Sequence, residues 1–197
     1  MIAASDTAAI ILAAGRSQRF GENNKMLHPI QGVAMIRRTV DAVLAAGFGD
    51  VVVVTGHEAD AVERSMQGLP VRCVRNATPW AGMGTSLATG ANAIFSEAMA
   101  VFIVLGDMPH LKTETLFSLL DAFDQKSGHD IVVPVHDGRR GHPVLFAKRY
   151  FTRLCALSGD NGARDILNNH PERVSAVPVN DPGTLLDIDT PGDVTGA

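Results

Sequence analysis

The sequence predicts an α/β fold of three layers, with helices on both sides of a mostly parallel sheet. Two observations predict it. Short apolar or β-branched runs at Ala8–Ala13, Val51–Thr55, Val71–Val74, Ala100–Leu105 and Ile131–Val135 alternate with stretches of helical periodicity, as in βαβ units. The runs Val51–Val54 and Val101–Leu105 are apolar at odd and even positions alike, so both faces of those strands must be covered. A chain of 197 residues, 46% hydrophobic and 19% charged, is large enough for one domain with a real core and too apolar for disorder.

Each element has its own signal. Ala8–Ala14 is an apolar run with Asp6 before it and Arg16 and Arg19 after it, the reverse of a signal peptide's charge order, which reads as a buried first strand. Met35–Ala46 puts Ile36, Val40, Val43 and Leu44 on one stripe and stops at Gly47. Glu58–Gln67 aligns Ala59, Val62 and Met66, Ser86–Phe95 aligns Leu87, Ala91 and Ile94, and Thr113–Phe123 aligns Leu116, Leu119 and Leu120. After about residue 136 the alternation loosens into loops marked by glycine and proline. A short strand at Val144–Phe146, a helix at Ala163–Asn169 and a last strand near Val174–Val177 are expected there.

Charge and cysteine content exclude several functions. The balance of 17 basic and 21 acidic residues gives a net charge of −4, which supplies no field for nucleic acid or an anionic membrane. The uncharged stretch Ala77–Ser96 is broken by Pro79, Gly82, Gly84 and Gly90 and is not a membrane span. Two cysteines build neither a disulfide framework nor a zinc motif, and a cytoplasmic protein is expected. The seven histidines show no metal-ligand spacing, and His142 alone stands out by its place in a glycine-hinged loop.

In open α/β sheets ligands bind beyond the carboxyl ends of the strands. The first such loop, Gly15-Arg16-Ser17-Gln18-Arg19-Phe20-Gly21 with Lys25 beyond it, combines exposable backbone N–H groups with cations and suits a polyphosphate. It is neither a Walker A loop nor a dinucleotide fingerprint, and a plain solvent loop would look similar. The second loop, Trp80 to Leu87, ends where a helix start would favour an anion, although Ser86 reads more readily as a plain helix cap. The third, Leu105-Gly106-Asp107-Met108-Pro109, sets a carboxylate at the end of an apolar strand, where it needs a partner such as Mg²⁺ or else caps a turn. Near the other end, Asp187 and Asp189 share one side of an extended segment; either suits a metal site with Asp107, and Asp189-Thr190-Pro191 also reads as a helix start. Arg139 and Arg140, beside His142, suit an anionic co-substrate or merely a hairpin turn.

Together, Leu12-Ala13-Ala14-Gly15-Arg16-Ser17 with Arg19-Phe20-Gly21 and Lys25, Trp80 with Gly82-Met83 and Ser86-Leu87, and Leu105-Gly106-Asp107-Met108-Pro109 resemble the molybdopterin nucleotidyltransferases. The resemblance continues through Gly141-His142-Pro143, Gly159-Asp160 with Gly162-Ala163-Arg164, and Asp187-Ile188-Asp189-Thr190-Pro191, and is nearest to the molybdenum cofactor cytidylyltransferase branch.

The resemblance implies a Rossmann-like sheet of the nucleotide-diphosphosugar transferase (GT-A) type. It implies one domain over 1–197, with a nucleotide-binding half to about residue 110 and an acceptor-binding half from about 111. Leu12, Ala13, Ala14 and Gly15 would contact base and ribose, with Asn76, Gly82 and Ser86 closing around them. Arg16, Arg19 and Lys25 would hold the triphosphate, Asp107 and Asp189 would bind Mg²⁺, and Arg16, Lys25 and Asp107 would be catalytic. Arg139, Arg140 and His142 would face the acceptor. The implied reaction moves CMP from CTP to the phosphate of molybdenum-molybdopterin and releases pyrophosphate. Ala14, where guanylyltransferases usually carry glycine, favours CTP over GTP. The rival readings are GTP or a sugar phosphate as substrate, and a non-catalytic carrier serving a molybdoenzyme. A molybdoenzyme or its chaperone is the implied protein partner.

Overall fold

The computed structural model describes residues 2–17, 20, 24–124 and 128–188. The strands are β1 (Thr7–Ala13), β2 (Pro29–Ile30), β3 (Val33–Ala34), β4 (Asp50–Thr55), β5 (Arg72–Arg75), β6 (Ala100–Leu105), β7 (Ile131–His136), β8 (Arg139–Arg140), β9 (Val144–Ala147) and β10 (Val174–Pro178). The α-helices are α1 (Met35–Leu44), α2 (Ala59–Ser65), α3 (Met83–Ala91), α4 (Thr113–Asp121), α5 (Phe151–Cys155) and α6 (Arg164–Asn169).

The main sheet runs β10-β7-β9-β6-β1-β4-β5, with β8 attached to β7. β1 pairs in parallel with both β4 and β6, and β5 with β4, so the main-sheet strands of the first half of the chain are all parallel. Polarity changes at β9, which is antiparallel to β6 on one side and to β7 on the other. The prediction of a mostly parallel three-layer sandwich therefore holds, with one inverted strand inside it. β1 is buried at all seven positions, as its lack of alternation demanded. Ile10, Ile11, Phe102, Phe146 and Leu145 are among the largest fully buried side chains, and each such side chain contributes roughly 1.5–3 kcal/mol of transfer free energy.

Two element predictions need correction. Helix α3 starts at Met83, three residues before the expected Ser86, because Gly82, at φ 105°, already turns the chain into it. Ser86 is therefore inside the helix and is not its cap. The helix expected over Glu58–Gln67 shrinks to Ala59–Ser65. Helix α5 and the β2–β3 ribbon gave no readable period, being too short to carry one.

Candidate active site

The loops at the carboxyl ends of β1, β5 and β6 form one wall of a cleft. Asp107 is placed there by Gly106, whose N–H donates to the Leu12 carbonyl at 2.9 Å and whose own carbonyl accepts from Thr39 Oγ1 at 3.0 Å. A side chain at Gly106 would meet Leu12 O at 2.8 Å, so the close approach of β6 to β1 at this point requires glycine. Asp107 is only 8% exposed. Its Oδ2 accepts from Lys25 Nζ at 2.5 Å, while Oδ1 is buried and has no hydrogen-bond partner.

Lys25 is set by a local hydrogen-bonded turn. Buried Asn24 accepts from the Met26 N–H at 3.0 Å, capping the Lys25–Leu27 turn, and Ser17 Oγ accepts from the Lys25 N–H at 3.1 Å. The first loop is thereby folded back on itself, and the cation on it reaches a carboxylate 82 positions away in sequence, at the end of the neighbouring strand β6.

Two cavities open on this cleft. One, of roughly 610 Å³, is lined by Ala14, Gly15, Arg16, Lys25, Trp80 and Asp107 among others. The other, of roughly 480 Å³, has Arg139, Arg140, His142 and Arg164 at its polar side and Ile103, Val144, Phe146, Leu87 and Leu167 as an apolar floor. Leu12, Met83, Leu105, Asp160 and Asp187 line both, so the cavities share a boundary that carries two carboxylates. His142 is half-buried, and burial pushes its imidazole below the ordinary value, against a hydrogen bond to the Ile103 main chain and the fields of Asp107 and Asp187.

The structure brings most of the sequence-derived residues together. Leu12, Ala14, Gly15, Arg16, Lys25, Gly82, Ser86 and Asp107 line the first cavity, and Arg139, Arg140 and His142 the second. Arg19 and Asp189 lie outside the described residues. Ala13 is fully buried in β1 and is not on either wall. Asn76 is also behind the wall: its amide donates to Thr85 Oγ1 and Ser86 Oγ, and its Oδ1 accepts from the Thr78 N–H. With donors and acceptor engaged, Asn76 holds the second loop rather than a base.

The anion-binding expectation for the start of α3 also needs correction. The Gly84 N–H donates to the Gly159 carbonyl at 2.8 Å and the Thr85 N–H to the Gly82 carbonyl at 3.2 Å, so these two donors are spent inside the protein. Gly82 and Gly84 are required instead by contact between loops. A Cβ at Gly82 would stand 2.3 Å from Gly159 and one at Gly84 2.7 Å from Ser158. Asp160 and Trp80 stand inside sequence motifs that give neither a role of its own, and the structure makes both of them wall residues. The Gly159-Asp160 pair was the available signal, since a second glycine-marked turn must pack on something.

A family model described as the MobA-like NTP transferase domain matches residues 9–174. The chain belongs to this family. Within the MobA-like family, a nicotine blue oxidoreductase of Paenarthrobacter nicotinovorans is 30% identical over 186 residues, covering 92% of this chain and 91% of that one. The bifunctional protein GlmU of Pelobacter propionicus is 39% identical over 130 residues, where the match spans 65% of this chain and only 28% of GlmU. Among solved structures, a nucleotidyl transferase from Methanothermobacter superposes with a TM-score of 0.83 at 28% identity, covering 96% of this chain and 94% of that one. A Mycobacterium tuberculosis protein in complex with manganese gives 0.78 at 27% identity, covering 96% of each chain. Family and structural neighbours together put this MobA-like chain among the nucleotidyltransferases. No helix of the described residues is long and apolar enough to cross a membrane.

Proposed function

We propose that this MobA-like protein is a cytoplasmic cytidylyltransferase that transfers CMP from CTP to the phosphate of molybdenum-molybdopterin. The observation that carries the reading is the pair of adjoining cavities, one lined by Arg16 and Lys25 with Asp107 and one with an apolar floor and a basic side, meeting at a boundary that carries Asp160 and Asp187. A phosphate oxygen of the acceptor attacks the α-phosphorus of CTP, the bond to the β-phosphate oxygen breaks, and pyrophosphate leaves with that electron pair. Arg16, Arg19 and Lys25 hold the triphosphate, and Leu12, Ala14 and Gly15 border the base and ribose. Arg139, Arg140 and His142 receive the acceptor. Residues to about 110 serve the nucleotide and those from about 111 the acceptor, within one domain.

The donor set fits a divalent ion. Asp107 Oδ1 is an anionic oxygen, buried and without a hydrogen-bond partner, which is costly unless a cation completes it. Asp107 and Asp189 would hold Mg²⁺, with Asp187 the alternative to Asp189, and the ion would neutralise charge developing on the phosphates. The remaining catalysis is alignment by this chain's own cations.

The test is nucleotide selectivity. With molybdenum cofactor present, pyrophosphate should be released from CTP and not from GTP, ATP or UTP, and Ala14→Gly should move the preference toward GTP. Release from GTP alone in the unaltered protein would overturn the CTP assignment. A second reading has one observation behind it: the relative matched over nine-tenths of both chains is named an oxidoreductase. On that reading the apolar cavity takes a substrate for oxidation or reduction, and no triphosphate is required.

A further inference from the structure

Trp80 is the single tryptophan of the chain, and it is 64% exposed. It sits on the short Pro79–Ala81 turn, which the packing of Gly82 and Gly84 against Ser158 and Gly159 holds in place. Arg16 comes from the loop after β1 and Trp80 from the loop after β5, two strands across the sheet, and both line the same cavity. The Arg16 guanidinium lies over the indole, 5.8 Å from the ring centroid. Among the described residues no carboxylate pairs with Arg16, in contrast to Lys25, whose Nζ meets Asp107.

At 5.8 Å the contact is between the guanidinium charge and the negative face of the ring, and it consumes no N–H donor of the guanidinium. Its five N–H donors lie in its plane and are left for another partner. An arginine loose in solvent gives up side-chain freedom when it binds an anion, whereas one already laid on an indole has less to lose. An exposed tryptophan that carries an uncompensated cation at the mouth of a cavity is thus a device for presenting charge.

We propose that Trp80 is a positioning residue for the triphosphate: its indole holds the Arg16 guanidinium across the mouth of the nucleotide cavity, with the in-plane donors free to take phosphate oxygens. This rests on the nucleotide reading given under Proposed function. The contact acts on binding of the triphosphate and not on the transfer step.

Because the chain has one tryptophan, biosynthetic replacement by fluorotryptophans alters the indole of this position alone. Fluorine drains the negative face of the ring with little change of shape, so calorimetric affinity for CTP should fall stepwise from tryptophan to monofluoro- to trifluorotryptophan. Trp80→Ala should reach a loss of about two- to fivefold, with Trp80→Phe and Trp80→Tyr between, the span of an exposed cation–π contact. Cytidine, which has no phosphates, should bind all of these equally, and in Arg16→Gln protein the fluorine series should be flat for CTP as well. In turnover the loss should appear in the KM for CTP with kcat held.

A CTP affinity that ignores fluorination, or an equal loss for cytidine, would overturn the positioning role while leaving the nucleotide site intact. Failure of the unaltered protein to bind CTP would instead overturn the nucleotide reading, and the positioning role with it.

Discussion

The two halves of the sheet meet at β6 and are built differently. On one side β6, β1, β4 and β5 are parallel, joined by crossovers, and end in loops that carry Arg16, Lys25, Trp80 and Asp107. On the other side β9 runs antiparallel between β6 and β7, and the cavity there is walled by strand faces: Ile103 from β6, Val144 and Phe146 from β9. The first region thus presents charge from loop backbones and side chains at strand ends. The second presents an apolar floor with arginines at its edge. A polyphosphate suits the first and a flat ring bearing an anion suits the second, and the junction between them is where a bond between the two ligands would form.

Four changes test that contrast. The largest effect is expected from Asp107→Asn, which keeps the volume but removes the carboxylate that faces Lys25 in the first cavity. Pyrophosphate release should fall by about 10³-fold, the upper range for one electrostatic group in a site. The protein should stay folded by circular dichroism, and retained activity would remove Asp107 from the machinery. Next, Phe146→Ala takes a fully buried ring out of the acceptor floor and should cost about 3–5 kcal/mol in denaturant unfolding. CTP affinity should stay nearly constant, and a parallel loss of CTP binding would mean that the two cavities are not energetically separate.

A smaller effect is expected at the edge of the second cavity. Arg139 and Arg140 are exposed on β8, so replacing both by glutamine should leave stability alone and raise the acceptor KM by about tenfold with the CTP KM unchanged. The smallest concerns His142. Burial lowers its pKa in the folded chain below the ordinary 6.5, so at lower pH the unfolded chain binds more protons and stability declines as pH falls. His142→Gln should therefore flatten the drop in melting temperature between about pH 7.5 and about pH 5. An unchanged drop would assign it to other groups.

The same contrast explains what the sequence revealed. In the parallel half each strand is separated from the next by a helix, so apolar runs and helical stripes alternate, and β1, β4 and β6 are readable to within a residue. In the second half short elements such as β8 and α5 carry too few residues for a period, and the inversion at β9 depends on contacts distant in sequence. Site residues followed a similar division. Lys25 and Asp107 were legible as charges placed after apolar strands. Asn76 and Gly82 were recognised as special, and the structure shows that both fix loop against loop, a role that leaves the same mark in sequence as touching a ligand. Trp80 was legible only as the start of a loop motif: its contact with Arg16, 64 positions earlier, exists only because the fold brings the two together.

The central claim is that a nucleotidyl group crosses from the first cavity to a phosphate held in the second. It is tested most directly by following two labels, one on the α- and one on the γ-phosphate of CTP, in the presence of Mg²⁺ and molybdenum cofactor. The account predicts that the α label becomes covalently attached to the pterin product while the γ label leaves as pyrophosphate, and that neither moves when the acceptor is withheld. Pterin that binds the protein but never acquires the α label, with CTP recovered intact, would contradict it.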